Sequence, residues 1–220
     1  MADVTAAAVA AALEADEPVD AALVALKQDP TRAEDVLGEL ASARQFFVRQ
    51  WVALEAPSIL GRRAVPLLLR LARDRHEDVR MDAVNELVEL DRAAVSEFAP
   101  TLRRRLRSRD IYEPIVAMRA LMLVGNADDA GEMRRAAAES DYPFHRFVAD
   151  AYALAIEGDD GELARRIEAH EHDAMPWLVV AAAHRATPRV VEAMRMCAKS
   201  ACGECRHECS AALGKLGARK

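Results

Sequence analysis

The chain has 220 residues, a net charge of −6 and an apolar share of 52% in which aromatics make up only 5%. That length supports a sizeable buried core, and the negative balance argues against nucleic-acid binding by bulk charge. No run approaches the roughly 18 uncharged apolar residues of a membrane span. Much of the apolar share is alanine, the residue with the best helix propensity, and the charged residues suit solvated helix faces. The expected class is a soluble all-α protein.

The N-terminal run MADVTAAAVAAALEADEP lacks a basic leader and carries Asp3 and Glu14. It is expected to form a first amphipathic helix and not a signal peptide. A cytoplasmic location is expected, with the cysteines as reduced thiols. Further helices are predicted near 18–28, 32–53 and 57–74, broken by Pro18, Pro30 and Pro57.

An internal repeat follows. RAVPLLLRLARDRHEDVRMDAVNELVEL (63–90) overlays EFAPTLRRRLRSRDIYEPIVAMRALMLV (97–124) at an offset of 34. Pro66 then meets Pro100, Leu68 meets Leu102, Ala83 meets Ala117 and Leu87 meets Leu121. Each unit reads as helix A, a short polar turn, then helix B. Proline stands in the first turn of A, where its missing N–H costs nothing. Asp78 and Asp110 stand where helix B wants an N-cap. Val79, Ala83, Leu87 and Leu90 form one apolar stripe at helical spacing. Weaker copies occupy 126–158, 159–186 and 187–217.

This pattern resembles HEAT repeats. The resemblance covers roughly 57–217 and is most specific at 63–90. It implies a HEAT-like α-solenoid of stacked antiparallel helical hairpins, with A helices outward and B helices lining a concave face. Neighbouring hairpins would share one core. The expected organisation is N-terminal capping helices over 1–56 followed by repeats over 57–220, in one continuous domain.

All four cysteines fall within thirteen positions: Cys197, Cys202, Cys205 and Cys209. They would end helix A of the last hairpin, occupy its turn and begin its helix B. Four thiolates so placed could hold zinc, or an iron–sulfur cluster in a different geometry. Against this, Cys205 and Cys209 occupy the Val79 and Ala83 positions of the repeat, and a free cysteine packs as a small hydrophobe. A chain without cofactor is the leading expectation, and metal at the four cysteines is the alternative.

The pair His207-Glu208 resembles the ligand motif of deoxyhypusine hydroxylase, a HEAT-like di-iron enzyme. That centre needs several such pairs on successive B helices, and one pair cannot supply them. His145 and His184, on B-helix segments, are read as buried, hydrogen-bonded histidines. A basic ridge (Arg70, Arg73, Arg103, Arg104, Arg105, Arg107, Arg109) invites comparison with HEAT-like alkylpurine DNA glycosylases. Here, however, the arginines belong to A helices, whereas the exposed B-helix positions Asp82, Glu86 and Glu89 are acidic, the wrong sign for phosphate. Phosphate-binding loops and the common hydrolase motifs are missing.

The expected function is therefore a non-catalytic protein–protein scaffold. Its acidic concave wall (Asp82, Glu86, Glu89) would meet a basic or mixed-charge protein, with neither membrane nor nucleic acid as partner. A metal-binding helical protein with a redox or regulatory role at the cysteine cluster is the second reading. A HEAT-like DNA glycosylase and an immunity or inhibitor protein are further alternatives.

Overall fold

A computed structural model describes residues 4–200 and 202–218. Among these the fold is all-helical, with no strand. The chain divides into two compact units, residues 1–97 and 98–220.

In the first unit, α1 (Ala6–Glu14), α2 (Asp20–Gln28), α3 (Pro30–Leu40), α4 (Phe46–Leu60), α5 (Val65–Leu71) and α6 (Glu77–Leu90) follow one another. Local chemistry sets their starts. Thr5 Oγ1 accepts the Ala8 N–H and Asp29 Oδ1 accepts the Arg32 N–H, each relieving a first-turn donor that has no helical partner. Pro30 opens α3 where proline is tolerated. Helix α4 is central, packing on α2, α3, α5 and α6. The core is built from Val9, Leu26, Leu37, Val48, Val52, Leu68, Val79, Ala83 and Leu87, all fully or nearly fully buried.

The single helix expected over 32–53 is two helices. The chain turns at 41–45, and Arg49 holds the turn by donating from Nη1 to the carbonyls of Ala43 (2.8 Å) and Arg44 (2.9 Å). Its Nε and Nη2 grip both oxygens of Asp74, each at 2.7 Å. One buried guanidinium thus ties the start of α4 to the α5–α6 turn. Pro57 is no break; it lies inside α4, which ends at Gly61 with φ 56°. The expected boundary at 56/57 therefore falls within a helix. Asp78 is likewise not the cap of α6, because it sits inside the first turn. The N-cap residue is His76, which offers no side-chain cap bond; Asp74 Oδ1 fixes the turn just before it by accepting the His76 N–H at 2.8 Å.

Helix α7 (Arg92–Arg105) carries the chain into the second unit, where α8 (Glu113–Val124), α9 (Ala127–Glu139), α10 (His145–Glu157), α11 (Asp160–Glu168), α12 (Met175–Arg185), α13 (Pro188–Cys197) and α14 (Gly203–Ala218) follow. Helices α9 and α10, α11 and α12, and α13 and α14 pack as sequential pairs. Across the pairs, α10 packs on α8 and α12, α12 on α14, and α11 on α13.

Carboxylates again stop the helix starts. Asp110 is not the N-cap residue of α8, which is Tyr112; two residues earlier, its Oδ1 accepts the N–H groups of Tyr112 and Glu113 at 2.8 and 2.7 Å. Asn126 and Asp129 form a reciprocal capping box on α9. Asp129 is buried and also receives Arg103 Nε at 2.6 Å. The Arg103 hydrogen bond holds its carboxyl below the usual range, against the opposing effect of burial. Arg185 and Asp160 join α12 to α11 at 2.7 Å.

The basic ridge is thus largely spent inside the protein. Arg103 binds Asp129, Arg107 binds Glu132, Arg105 lies 3.4 Å from Glu113, and Arg70 donates to the Gly38 carbonyl. The expectation for His145 is met: it is buried, with Nδ1 2.7 Å from Ser140 Oγ and Nε2 2.8 Å from the Ile111 carbonyl. Since a carbonyl only accepts, Nε2 carries the proton and Nδ1 accepts from the hydroxyl. His184 is half-buried.

Candidate metal centre

Two turns of the second unit meet at the end of the chain. The first joins α11 to α12. Its backbone takes a left-handed step at His170, φ 55°, and Glu171 is held by Arg166, Nε to Oε2 2.7 Å. A 3-10 turn, His172–Ala174, follows and projects His172 into solvent. The second turn joins α13 to α14. Cys197 ends α13. The N–H of Ser200 returns to the Cys197 carbonyl at 2.9 Å, which tightens the exit. Cys202 lies just ahead of α14, and its Sγ accepts the Cys205 N–H at 3.3 Å. It caps the helix as a serine hydroxyl would.

His172, Cys202 and Cys205 come together here, with one donor atom from each lying within 4.8 Å of the others. His172 Nδ1 is 3.8 Å from Cys202 Sγ and 3.7 Å from Cys205 Sγ. Nε2 is 3.9 Å from Cys202 Sγ. Nδ1 is therefore the ring nitrogen that faces both sulfurs. Metal–donor lengths of about 2.05 Å for nitrogen and about 2.3 Å for sulfur give tetrahedral N···S edges of about 3.6 Å. The two N···S distances exceed that edge by only a few tenths of an ångström, and the two sulfurs lie within 4.8 Å of each other. This group can hold a metal.

Burial divides the thiols. Cys202 is half-buried, whereas Cys197, Cys205 and Cys209 are buried. Hydrogen bonds from the Cys205 thiol and N–H lower the Cys202 pKa. Burial pushes the Cys205 thiol up to about 12, with Cys202 beside it adding to the rise. Burial also raises Cys209, and its hydrogen bond with Cys197 adds to that. Cys197 Sγ donates to the Cys205 carbonyl at 3.4 Å. The four cysteines thus form two sets: Cys202 and Cys205 at the mouth with His172, and Cys197 with Cys209 in the core between α13 and α14.

His172 is the ligand that cysteine spacing alone does not find. It precedes Cys202 by thirty residues and stands in the turn between α11 and α12, so a search confined to the cysteine run misses it.

The acidic residues expected to bind a partner all lie on α6. Asp82 is half-buried and accepts Gln50 Nε2 at 2.8 Å; burial raises its pKa while that hydrogen bond opposes the rise. Glu86 is half-buried and Glu89 exposed. His207, of the pair compared with di-iron ligands, is exposed on α14.

Compared with known proteins, the chain matches no protein-family model and no curated protein sequence. Among the described residues, no helix is long and apolar enough to cross a membrane. What fold and site define is an all-α protein carrying a His/Cys group able to hold a metal ion.

Proposed function

We propose that this protein binds zinc through His172 Nδ1, Cys202 Sγ and Cys205 Sγ, and that the ion links its last two helical turns as a regulatory clamp. The observation that carries this reading is the near-equal approach of one imidazole nitrogen to two sulfurs from a neighbouring turn. Mixed nitrogen and thiolate donors suit zinc and disfavour magnesium or calcium. An iron–sulfur cluster is held by four protein ligands, whereas three donors gather here and Cys197 and Cys209 are buried in the core. Three protein donors leave a fourth position for water. Such a clamp is more labile than a closed four-ligand site, which suits regulation.

Metal analysis of untagged full-length protein tests this directly. One zinc per chain is expected, and His172→Ala should lower zinc affinity on the order of tenfold or more while leaving the helical circular dichroism intact. Protein that takes up no zinc from a buffered solution refutes the reading.

A second reading concerns the rest of the chain: a HEAT-like α-solenoid acting as a protein–protein scaffold. Its support is the serial packing of α8, α10, α12 and α14, each on the next, with α11 on α13 behind them. The partner would be a basic or mixed-charge protein meeting α6 at Asp82, Glu86 and Glu89. Replacing all three by lysine should abolish cross-links from that partner to α6. Cross-linking that survives the triple replacement rules out this face.

A further inference from the structure

The pair Cys202-Gly-Glu-Cys205 has a feature that metal binding does not require. Cys202 Sγ is turned toward the start of α14, where it accepts the Cys205 N–H at 3.3 Å, and both sulfurs lie within the same 4.8 Å cluster. Cys202 is half-buried, so a small oxidant can reach it, whereas Cys205, Cys197 and Cys209 are 0–1% exposed. One accessible sulfur with a second sheltered directly behind it is the arrangement of an attacking thiol and a resolving thiol. Pairs three residues apart on a helix have Cβ atoms about 5–6 Å apart, and a disulfide needs about 4 Å. Cys202 precedes the helix, so a small movement of this cap residue closes the difference without unwinding α14.

We infer that Cys202 and Cys205 form a redox-active dithiol that a peroxide oxidises to a disulfide, with release of the metal. The inference builds on the zinc reading for the release step only. Cys202 Sγ attacks one peroxide oxygen; the S–O bond forms as the O–O bond breaks, and the departing hydroxide is protonated to water. Cys205 Sγ then attacks Cys202 Sγ; the S–S bond forms as the S–O bond breaks, and the hydroxyl leaves as a second water. Two electrons pass from the dithiol to the peroxide. In the metal-free form the two protons taken up come from the thiols. In the zinc form they come from solvent, and Zn²⁺ departs because neither sulfur remains a thiolate. His172 is left without a partner, and the link between the two turns opens. A small-molecule thiol reverses the change by exchange.

Trypsin cuts after Arg195, Lys199, Arg206 and Lys215. Cys197, the Cys202–Cys205 pair and Cys209 therefore fall on three separate peptides. Zinc-loaded and chelator-treated full-length protein are each treated with one equivalent of hydrogen peroxide, alkylated in denaturant and digested. The expected result is a 200–206 peptide that is lighter by two hydrogens and carries no alkyl group, beside alkylated Cys197 and Cys209 peptides. From the loaded sample, one zinc is lost to a colorimetric chelator, and dithiothreitol restores binding. A doubly alkylated 200–206 peptide overturns the inference, as does a Cys197–Cys209 link. The chelator-treated sample decides the dithiol chemistry even if zinc never binds, so the two readings fail separately. In Cys202→Ser, where serine preserves the cap, Cys205 is expected to stay reduced; oxidation of Cys205 at the parent rate in that variant also overturns it.

Discussion

The Arg49–Asp74 pair offers the sharpest test of how the first unit is held. Their side chains are 5% and 10% exposed, so removing either leaves a charge or several polar atoms in a dry place. Asp74→Asn keeps the shape, the acceptor for the His76 N–H and the two bonds from Arg49 to the Ala43 and Arg44 carbonyls. It loses the countercharge, and the expected cost is about 3 kcal/mol, the lower end for a broken buried pair. Arg49→Met strands the Asp74 carboxylate and also deprives the two carbonyls of their donor, adding about 1 kcal/mol or more. Arg49→Met should therefore be the more damaging by at least about 1 kcal/mol. Trp51 lies in α4 and Trp177 in the second unit, so a Trp177→Phe background makes fluorescence report the first unit alone. Urea unfolding followed by Trp51 fluorescence gives the free energies by linear extrapolation. Burial alone would raise the Asp74 pKa, but Arg49 and the His76 N–H hold it below its ordinary value. The stabilisation is thus complete above the unfolded value of about 3.9 and is lost as pH falls through the lower folded value. Asp74→Asn should flatten that part of the acid limb. Equal costs for the two substitutions, or an unchanged acid limb, would refute the reasoning.

Asp129 follows the same sign: Arg103 lowers its folded pKa, so Asp129→Asn should cost stability at neutral pH and progressively less under acid, read by Trp177 fluorescence in a Trp51→Phe background. His145→Phe fills the same space but strands Ser140 Oγ and the Ile111 carbonyl, and should cost about 2 kcal/mol in the same assay. At Gly125 an added Cβ would collide with the Leu121 carbonyl oxygen and lie 2.9 Å from Asp129 Oδ2; Gly125→Ala should lower the melting temperature by several degrees, since it disturbs the α9 capping box. Iodoacetamide should modify Cys202 first among the four cysteines of the folded, metal-free chain, because the others are buried, and zinc should slow that reaction.

Helical content was legible in the alanine-rich composition and in the stripe Val79, Ala83, Leu87 and Leu90, of which the first three are buried and Leu90 half-buried. These features are local, and the physics that sets them acts within a few residues. Breaks were harder to read. Pro57 looked like a terminator, and within a helix it removes a donor and crowds the carbonyl one turn back, yet the packing of α4 on its neighbours outweighs that cost. The real break at 41–45 has no proline and no glycine. It is made by Arg49, whose partner lies twenty-five residues further on. Asp78 failed as a cap because α6 starts earlier than its pattern suggests: His76 is the N-cap residue and Asp78 already stands in the first turn. The arginine ridge was legible as a charge pattern but not as ion pairs, because the carboxylate partners of Arg103, Arg105 and Arg107 are 8 to 26 residues away in sequence.

The cysteines show how one helical hairpin can serve packing and chemistry at once. Cys205 and Cys209, which align in sequence with Val79 and Ala83, are buried as those two residues are. Burial is what gives Cys205 its unreactive character, and it would make a lone thiol there inert. Cys202 changes that, because it occupies the cap position, where the side chain must face the first amides of the helix. Core position and cap position are three residues apart, which brings their sulfurs together. The turn between α11 and α12 supplies His172. A site of this kind needs no departure from the helical pattern: it needs cysteine at a core position, cysteine at a cap and histidine in the turn next door. Its donors come from two separate turns, α11–α12 and α13–α14, so any metal held there senses how those turns are packed, and any change in the sulfurs is felt by the packing.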